Sequence, residues 1–286
     1  MKVSVIIPTF NRSTLIEKAV KDVIKQSYKD WELIIVDDGS TDDTEWVIRK
    51  YIDSDNRITY LKKGKTGAAD SRNYGVKHAT GEVVTFYDSD DELADNWMEL
   101  MISGFSNPNI CLVSCGVSTK DVIKDKEINR ELPQKVWHCK RGTTAMFIAA
   151  AFFIKKIVFE QIGGYDIQLH SDQHTELGFR IIKYMGENNL QGNIIPHVLM
   201  QINVHGGARI RSNDKAVFLG TKRILTKHEN ILRTKKKKYI EYLEINAYRA
   251  SKLGLKSEAL SSIKKIIIYK PYYWKAWVKY ILYNFR

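Results

Sequence analysis

Between Val3 and Asp91, short runs of apolar and β-branched residues alternate with stretches of helical period. That alternation restricts the chain to an α/β architecture, a mostly parallel sheet sandwiched by helices. Val3 to Ile7 (VSVII) reads as the first strand, stopped by Pro8. Leu15, Ile16, Ala19, Val20, Val23 and Ile24 then follow one helix face, with Ser13 as its cap. Leu33 to Val36 forms a second strand. Ser40 caps a helix running through Ile52, with Asp43 in the capping-box position. Thr59 to Leu61 is a weaker third strand, and Gly67 to Ala79 reads as a helix. Val83 to Tyr87 shows no polar alternation, the mark of a central strand covered on both faces. Asp88-Ser89-Asp90-Asp91 follows it at once. In open α/β sheets ligands bind outside the C-terminal ends of the strands, so these carboxylates stand where a ligand is expected.

Downstream, a helix is expected near Leu93 to Gly104 and a strand near Ile110 to Cys115. Residues 117–145 carry mixed charge with little periodicity and read as an excursion, in which Trp137, His138 and Arg141 offer stacking and polar groups to a ligand. Phe147 to Phe159 is apolar, Gly163-Gly164-Tyr165-Asp166 forms a turn, and Thr175 to Met185 a helix with Glu176 and Arg180 spaced for an ion pair. From Asp214 the pattern is helical throughout. Ala250, Gly254, Ala259 and Pro271 resemble the end of one helical-hairpin repeat. We therefore expect two domains, 1–213 and a small all-helical 214–286.

Charge separates along the same line. The chain carries a net +12, yet residues 222–286 hold 17 Lys and Arg against 4 Asp and Glu, and the rest is near neutral. A neutral body with a basic tail suggests a tail facing something anionic, such as a membrane surface. Lys235 to Lys238 and the interfacial aromatics Tyr272, Tyr273, Trp274 and Trp277 would make that contact. Nucleic acid is disfavoured, because the basic region has no recognisable reading motif. The sequence shows neither a secretory signal nor an apolar run near the roughly 18 residues a spanning helix needs. The expected place is the cytoplasm, at the inner face of the plasma membrane. Cys111, Cys115 and Cys139 lack zinc spacing and read as buried free thiols.

Two carboxylates one residue apart at a strand end can share a hard divalent cation that also binds phosphate oxygens. Asp37-Asp38-Gly39-Ser40 ends the second strand, offering a carboxylate to a base N–H and a turn that opens a helix toward phosphate. Pro8-Thr9-Phe10-Asn11-Arg12 ends the first. Gly67, Ala68 and Ala69 are small enough for close approach, and Arg72 follows them. The segment His205 to Ser212 is basic and glycine-containing, suited to closing over a bound ligand. These features surround one pocket.

The stretches VSVIIPTFNR, ELIIVDDGSTDDT, GAADSRNYGVKHATGEVVTFYDSDD and GGYD, in this order, resemble the family 2 glycosyltransferases of GT-A fold over about the first 210 residues. The resemblance implies a GT-A domain in which Pro8, Thr9, Arg12, Asp38 and Arg72 line the nucleoside site. It places Asp88 and Ser89 beside the donor and Asp90 on a metal, Mn2+ or Mg2+. It further implies an inverting transferase using a nucleotide-sugar donor, mostly a UDP-sugar, on a saccharide or lipid-linked acceptor in bacterial surface polysaccharide synthesis. Similar enzymes put a His or Arg of the late basic segment on the metal or diphosphate, which here gives His205 as a metal ligand and Arg209 and Arg211 as phosphate clamps. Their catalytic base is an acidic residue at the start of the helix after the Gly-Gly-aromatic-Asp turn. In this chain that position falls on Gln173 or His174, and Asp172, one or two residues earlier, is the carboxylate expected to take the role. The alternative is a GT-A-fold protein without transfer activity, binding carbohydrate or a partner through its basic helical end.

Overall fold

The structure, a computed structural model, describes residues 1–133, 135–139, 142–145, 151–204 and 213–285, with backbone alone at 135–139, 142–145 and 284–285. It divides into two compact units, Met1–Asp166 with Arg180–Gly206, and Ile167–Phe179 with Gly207–Arg286. The second unit thus also takes in a segment that a boundary at 213 assigns to the first.

The first unit is built on β1 (Val3–Thr9), β2 (Trp31–Asp37), β3 (Ile58–Lys62) and β4 (Val83–Phe86), with α1 (Ser13–Ile24), α2 (Thr44–Ile52) and α3 (Ala68–His78) between them. It continues through β5 (Glu92–Leu93), α4 (Trp97–Ser103), β6 (Ile110–Asp121), β7 (Lys126–Glu131), β8 (Lys135–Cys139), β9 (Gly142–Ala145), β10 (Phe152–Lys155), α5 (Lys156–Gln161) and β11 (Gln191–Val204). Among the described residues the sheet order is β3-β2-β1-β4-β10-β6-β11-β5, with β7 on β6 and a separate β8-β9 pair. β1, β2, β3 and β4 pair in parallel, as does β11 with β6, while β10 runs antiparallel between β4 and β6.

Both sheet faces are covered, which explains the unbroken apolar runs. Val3, Val5 and Ile7 of β1 pack with Ile16, Val20 and Val23 of α1 and with Leu33 and Ile35 of β2, all fully buried. Burying each such side chain contributes about 1.5–3 kcal/mol. On the opposite face Ile6 and Val36 lie under α3 at Gly75, where a Cβ would come within 2.5 Å of Ile6. Only a residue without one lets that helix sit so close. The buried hydroxyls within the apolar strands are used for pairing. Thr85 Oγ1 donates to the Phe152 carbonyl at 2.9 Å and Ser114 Oγ to that of Ala151 at 3.1 Å, tying β4 and β6 to the antiparallel β10. Cys111 and Cys115 are buried free thiols, pushed by burial up to about 11 and about 12. The side chain of Cys139 is not among those described.

Several boundaries differ from the sequence expectation. β1 does not stop at Pro8 but runs through it to Thr9. Ile6 O accepts from Tyr87 N and Thr9 O from Asp38 N, so Pro8 faces the β4 side, where pairing has already ended at Ile6, and its missing N–H costs no ladder bond. Ser13 is the first residue of α1 rather than its cap, its N–H being taken by Asp42 Oδ2 at 3.1 Å. Ser40 does not cap α2, which starts at Thr44; its hydroxyl accepts from Asn11 N–H instead. Leu93 belongs to β5, paired with Met200 of β11, and the following helix begins only at Trp97. The excursion at 117–145 is strand-rich, because β6 extends to Asp121 and folds back antiparallel as β7.

The second unit contains α7 (Asp214–Arg233), α8 (Lys236–Lys252), α9 (Lys256–Tyr269) and α10 (Trp274–Phe285), and the first half of α6 (Gln173–Glu187) falls within it. Asn213 caps α7, its side chain accepting from Ala216 N–H at 3.0 Å. The core is Ile224, Leu225, Leu232, Tyr239, Leu243, Ala247, Ile263 and Ile266. Buried Asn246 is satisfied by Phe218 O, Thr221 Oγ1 and Ser262 Oγ, which fixes the register of three helices. Among the described residues no helix is long and apolar enough to cross a membrane.

Candidate active site

Parallel pairing brings the C-terminal ends of β1, β2 and β4 to one edge, and the loops there are fixed by side chains rather than by further secondary structure. Asn11 takes a positive φ of 51°, where Asn is among the tolerated residues. Its N–H donates to Ser40 Oγ at 2.8 Å, its Oδ1 accepts from Thr41 N–H at 2.9 Å, and Arg12 N–H reaches Thr44 Oγ1 at 3.0 Å. The first and second loops are therefore locked together. Thr9 is 3% exposed, and its Oγ1 has no hydrogen-bond partner among the described residues. A hydroxyl left so costs about 1–3 kcal/mol, which a ligand group at this edge would relieve.

Both carboxylates ending β2 are engaged. Asp37, fully buried, accepts from Ser40 N–H at 2.7 Å and from Tyr60 Oη. Asp38 Oδ1 accepts from Lys63 Nζ at 2.6 Å and Thr66 N–H at 2.9 Å, and Oδ2 from Gly67 N–H at 2.8 Å. Burial pushes the Asp38 carboxyl up, but Lys63 and the two backbone donors outweigh it and hold it below its ordinary value. Gly67 adopts φ 101°, a conformation open to glycine, which lets the loop turn its N–H onto Asp38. Oδ2 keeps acceptor capacity for one further donor.

The acidic run after β4 is less saturated. Arg72, 5% exposed, donates from Nη2 to Asp88 Oδ1 at 2.7 Å, and its guanidinium lies 5.5 Å from the Tyr165 ring centre. Asn73 holds that ring's backbone in place, its Nδ2 donating to Tyr165 O at 2.8 Å and its Oδ1 accepting from Tyr165 N–H at 2.7 Å. Asp91 is buried and accepts from Asn203 N–H at 3.1 Å. Burial, then the charges of Asp88 and Asp90, push its carboxyl well above the usual range. Asp90 keeps 30% of its side chain exposed, and Arg12 Nη1 approaches it only to 3.6 Å. The edge thus concentrates negative charge around Asp88 and Asp90, and their hard oxygens suit a divalent cation whose remaining positions phosphate oxygens would fill. Among the described residues no group of three or more His, Cys, Asp and Glu stands ready as a complete metal cage.

Residues 4–163 match the family model described as glycosyl transferase family 2. The chain belongs to that family. One relative is a GalNAc(5)-diNAcBac-PP-undecaprenol beta-1,3-glucosyltransferase of Campylobacter jejuni, 38% identical over 143 residues, 46% of each chain. Another is the UDP-Glc:alpha-D-GlcNAc-diphosphoundecaprenol beta-1,3-glucosyltransferase WfgD of Escherichia coli, 34% identical over 141 residues, 48% of this chain and 54% of that one. The chain spans about half the length of these two curated relatives. Among solved structures, the mannosyltransferase PcManGT of Pyrobaculum calidifontis in complex with GDP-Man and Mn2+ superposes with a TM-score of 0.63 at 20% identity, covering 98% of this chain and 84% of that one. S. aureus TarS 1-349 in complex with UDP-GlcNAc gives 0.65 at 18%, covering 94% and 81%. At such identities the likeness carries the fold, and the fold is GT-A, as the sequence motifs implied.

In this family 2 chain, Pro8, Thr9, Arg12, Asp38, Arg72, Asp88, Ser89 and Asp90 all lie on or beside the loops of one sheet edge. Sequence reasoning passed over Lys63, Asn73, Tyr165 and Asn203, which hold Asp38, Arg72 and Asp91. The signal for Asn73 and Tyr165 was present, since both lie inside the quoted motifs. Nothing in the spacing of Lys63 or Asn203 announces a partner. His205, Arg209, Arg211 and Arg141 lie outside the described residues, and Trp137 and His138 outside the described side chains.

Asp172 belongs to the helical unit. It takes a positive φ of 58° immediately before α6, its carbonyl accepts from Glu176 N–H at 3.0 Å, and its Oδ2 lies 3.0 Å from Ser171 Oγ. Burial and then the Asp172 charge push the Tyr242 hydroxyl upward. Glu176 is fully buried and meets Lys227 at 2.8 Å and His228 at 3.1 Å, partners the i,i+4 reading with Arg180 did not foresee. His228 is the one non-helical residue within α7, and its ring stacks on Phe179. Arg180 donates to the Ile162 carbonyl at 2.6 Å.

Proposed function

We propose that this chain is an inverting glycosyltransferase that moves a sugar from a nucleotide diphosphate donor, a UDP-sugar, to a saccharide or lipid-linked acceptor in the synthesis of bacterial surface glycans. The observation that carries the reading is the half-exposed Asp90 carboxylate beside the Arg72-bound Asp88, at the C-terminal edge of the central strand β4. The names of the two relatives, both β-1,3-glucosyltransferases with diphosphoundecaprenol acceptors, support the acceptor class, and the UDP-GlcNAc complex of the TarS neighbour supports the donor class.

Thr9, Arg12, Asp38 and Arg72 would hold the nucleoside and ribose side of the donor. The orphaned Thr9 hydroxyl and the remaining acceptor site of Asp38 Oδ2 supply the polar contacts. Asp90, aided by Asp88, would hold Mn2+ or Mg2+, which when bound offsets charge on the diphosphate. The Mn2+ of the PcManGT complex supports a divalent ion. Asp172 is assigned as base. The acceptor oxygen forms its bond to the anomeric carbon while the bond from that carbon to the diphosphate oxygen breaks. The acceptor proton passes to the base, and the nucleotide diphosphate leaves with the electron pair. Attack opposite the leaving group inverts the centre. His205 as a further metal ligand and Arg209 and Arg211 on the diphosphate complete the assignment from sequence. A lipid-linked acceptor places the reaction at the cytoplasmic face of a membrane.

The test is a thermal-shift panel of nucleotide sugars with and without Mn2+ or Mg2+, followed by nucleotide release on the hits. Ligand binding to the folded state raises the melting point, by about 2.7 kcal/mol of added stability at a hundredfold excess over Kd. A cation-dependent shift with one UDP-sugar, followed by release of UDP, is expected. Binding without turnover across donors and acceptors would favour the non-catalytic module instead.

A further inference from the structure

The helical unit carries an apolar surface that its own core does not use. Helix α10 turns Ala276 inward at 1% exposure, with Tyr273, Tyr280 and Tyr283 packed against the same core. Trp274, Trp277, Val278, Ile281 and Leu282 are spaced i, i+3, i+4, i+7, i+8 and are 67%, 46%, 44%, 54% and 51% exposed. That spacing makes a single stripe along the helix. α10 therefore has two apolar faces and buries one. Ile268 and Tyr272, at the α9–α10 turn where the stripe begins, are 80% and 96% exposed. Isolated exposed apolar residues need no explanation, but a contiguous set of this size marks a contact surface.

The charge around the stripe selects its occupant. Lys236, Lys237 and Lys270 line a groove of about 660 Å³ with Ile240, Tyr269 and Tyr273, so the groove opens at the same α9–α10 turn. Its two acids are already matched: Glu241 pairs with Lys238 at 3.1 Å, and Glu244 accepts from Tyr273 Oη at 3.1 Å and Lys279 Nζ at 3.4 Å. Lys275 and Lys279 lie on α10 beside the stripe, Lys275 6.0 Å from the Trp274 ring centre. A second copy of the unit would bring the same excess, 17 basic residues against 4 acidic over 222–286, and would be repelled. An anionic surface that accepts indole rings and aliphatic side chains meets both features at once.

We propose that the outward face of α10 and the lysine-lined groove at the α9–α10 turn seat this chain on an anionic lipid bilayer. Trp274, Trp277, Val278, Ile281 and Leu282 enter the boundary between headgroups and acyl chains, and Lys236, Lys237 and Lys270 take lipid phosphates. The proposal deepens the transferase reading, on which its link to a lipid-borne acceptor rests, while its own observations are confined to the helical unit.

The full chain is tested by sedimentation with vesicles of phosphatidylcholine containing about one-third phosphatidylglycerol and with pure phosphatidylcholine, alongside light scattering of the protein alone. Binding to the anionic vesicles with a blue shift of tryptophan emission is expected, with much weaker binding to the neutral ones. The triple variant Trp274→Ser, Trp277→Ser, Ile281→Ser should bind at least about tenfold more weakly. The double variant Lys236→Gln, Lys237→Gln should lose about tenfold at low salt and little at high salt. Equal binding to neutral vesicles, unchanged binding by both variants, or a concentration-dependent dimer abolished by the triple variant would overturn the proposal, the last by giving the stripe to a second copy. Donor binding is measured without vesicles. A chain that binds donor but not vesicles loses only the docking surface, and one that binds vesicles but no donor loses only the transferase reading.

Discussion

Two acidic clusters end strands on either side of β1, and the fold uses them differently. Asp37 and Asp38 close β2, and each of their four carboxylate oxygens is met by at least one donor from the protein: Ser40, Tyr60, Lys63, Thr66 and Gly67. Asp88, Asp90 and Asp91 close β4, where Asp91 is buried and bonded but, among the described residues, the Asp90 carboxylate is approached by a guanidinium at 3.6 Å. Their sequences are alike, paired carboxylates after an apolar parallel strand. Local donors make Asp37 a builder of loops and fix Asp38 with one acceptor position of Oδ2 left over. Their absence around the Asp90 carboxylate, among the described residues, leaves the second cluster with charge to offer a ligand.

The sharpest way to break this contrast is Asp90→Asn, which removes the charge and keeps the shape. Sugar transfer, followed by nucleotide release, should fall about a thousandfold, some 4 kcal/mol of transition-state stabilisation. The melting temperature should stay within about 2 °C, since no buried partner is lost. Unaltered transfer would make Asp90 a turn residue like Asp37 of β2. The converse holds for Asp37→Ala. It strands the Ser40 N–H and the Tyr60 hydroxyl, so urea unfolding should show a loss of about 2–3 kcal/mol.

Lys63→Met sharpens the comparison at its boundary. Lys63 lies between Asp38 and Asp70, at 2.6 and 3.0 Å, and touches no substrate in this assignment. Its loss should weaken donor binding about tenfold, in KM rather than kcat, by releasing Asp38. A kcat effect of that size with KM unchanged would contradict the positioning role. Because the folded Asp38 carboxyl lies below its ordinary value, its stabilisation is complete above about pH 4 and is lost as pH falls through the folded value. The stability gap between wild type and Asp38→Asn should therefore narrow in thermal melts as pH falls below about 4. Arg12→Ala should move stability least, by no more than about 0.5 kcal/mol, because its ion pair with Asp90 is long and partly exposed.

β1, β2, β4 and the first half of β6 were legible because both faces of the sheet are buried there, so each wrote its apolar run directly into the sequence, whereas β7 and β11, with many exposed or half-buried positions, carry no such run. Loop starts were less so. Ser13 and Ser40 both look like caps, yet Asp42 takes the N–H of Ser13 and the Ser40 hydroxyl receives Asn11, a residue of another loop. Cap rules read a helix and its own neighbours, while these bonds join β1–α1 to β2–α2 across about thirty residues. Glu176 shows the same limit, since its partners Lys227 and His228 lie on α7, some fifty residues away.

The sequence by itself determined the α/β alternation, the family, and the chemical types at the strand ends, because these depend on periodicity and on short motifs whose residues are neighbours in the chain. Only the tertiary structure decided which carboxylates are available. Asp38 and Asp90 are the same residue after similar strands. One is enclosed by a lysine and two backbone N–H groups from a loop 25 to 29 residues on, and the other is not. Only the fold could also show that one face of α10 stays uncovered, since an apolar stripe in sequence looks the same whether a helix, a core or a lipid surface lies against it.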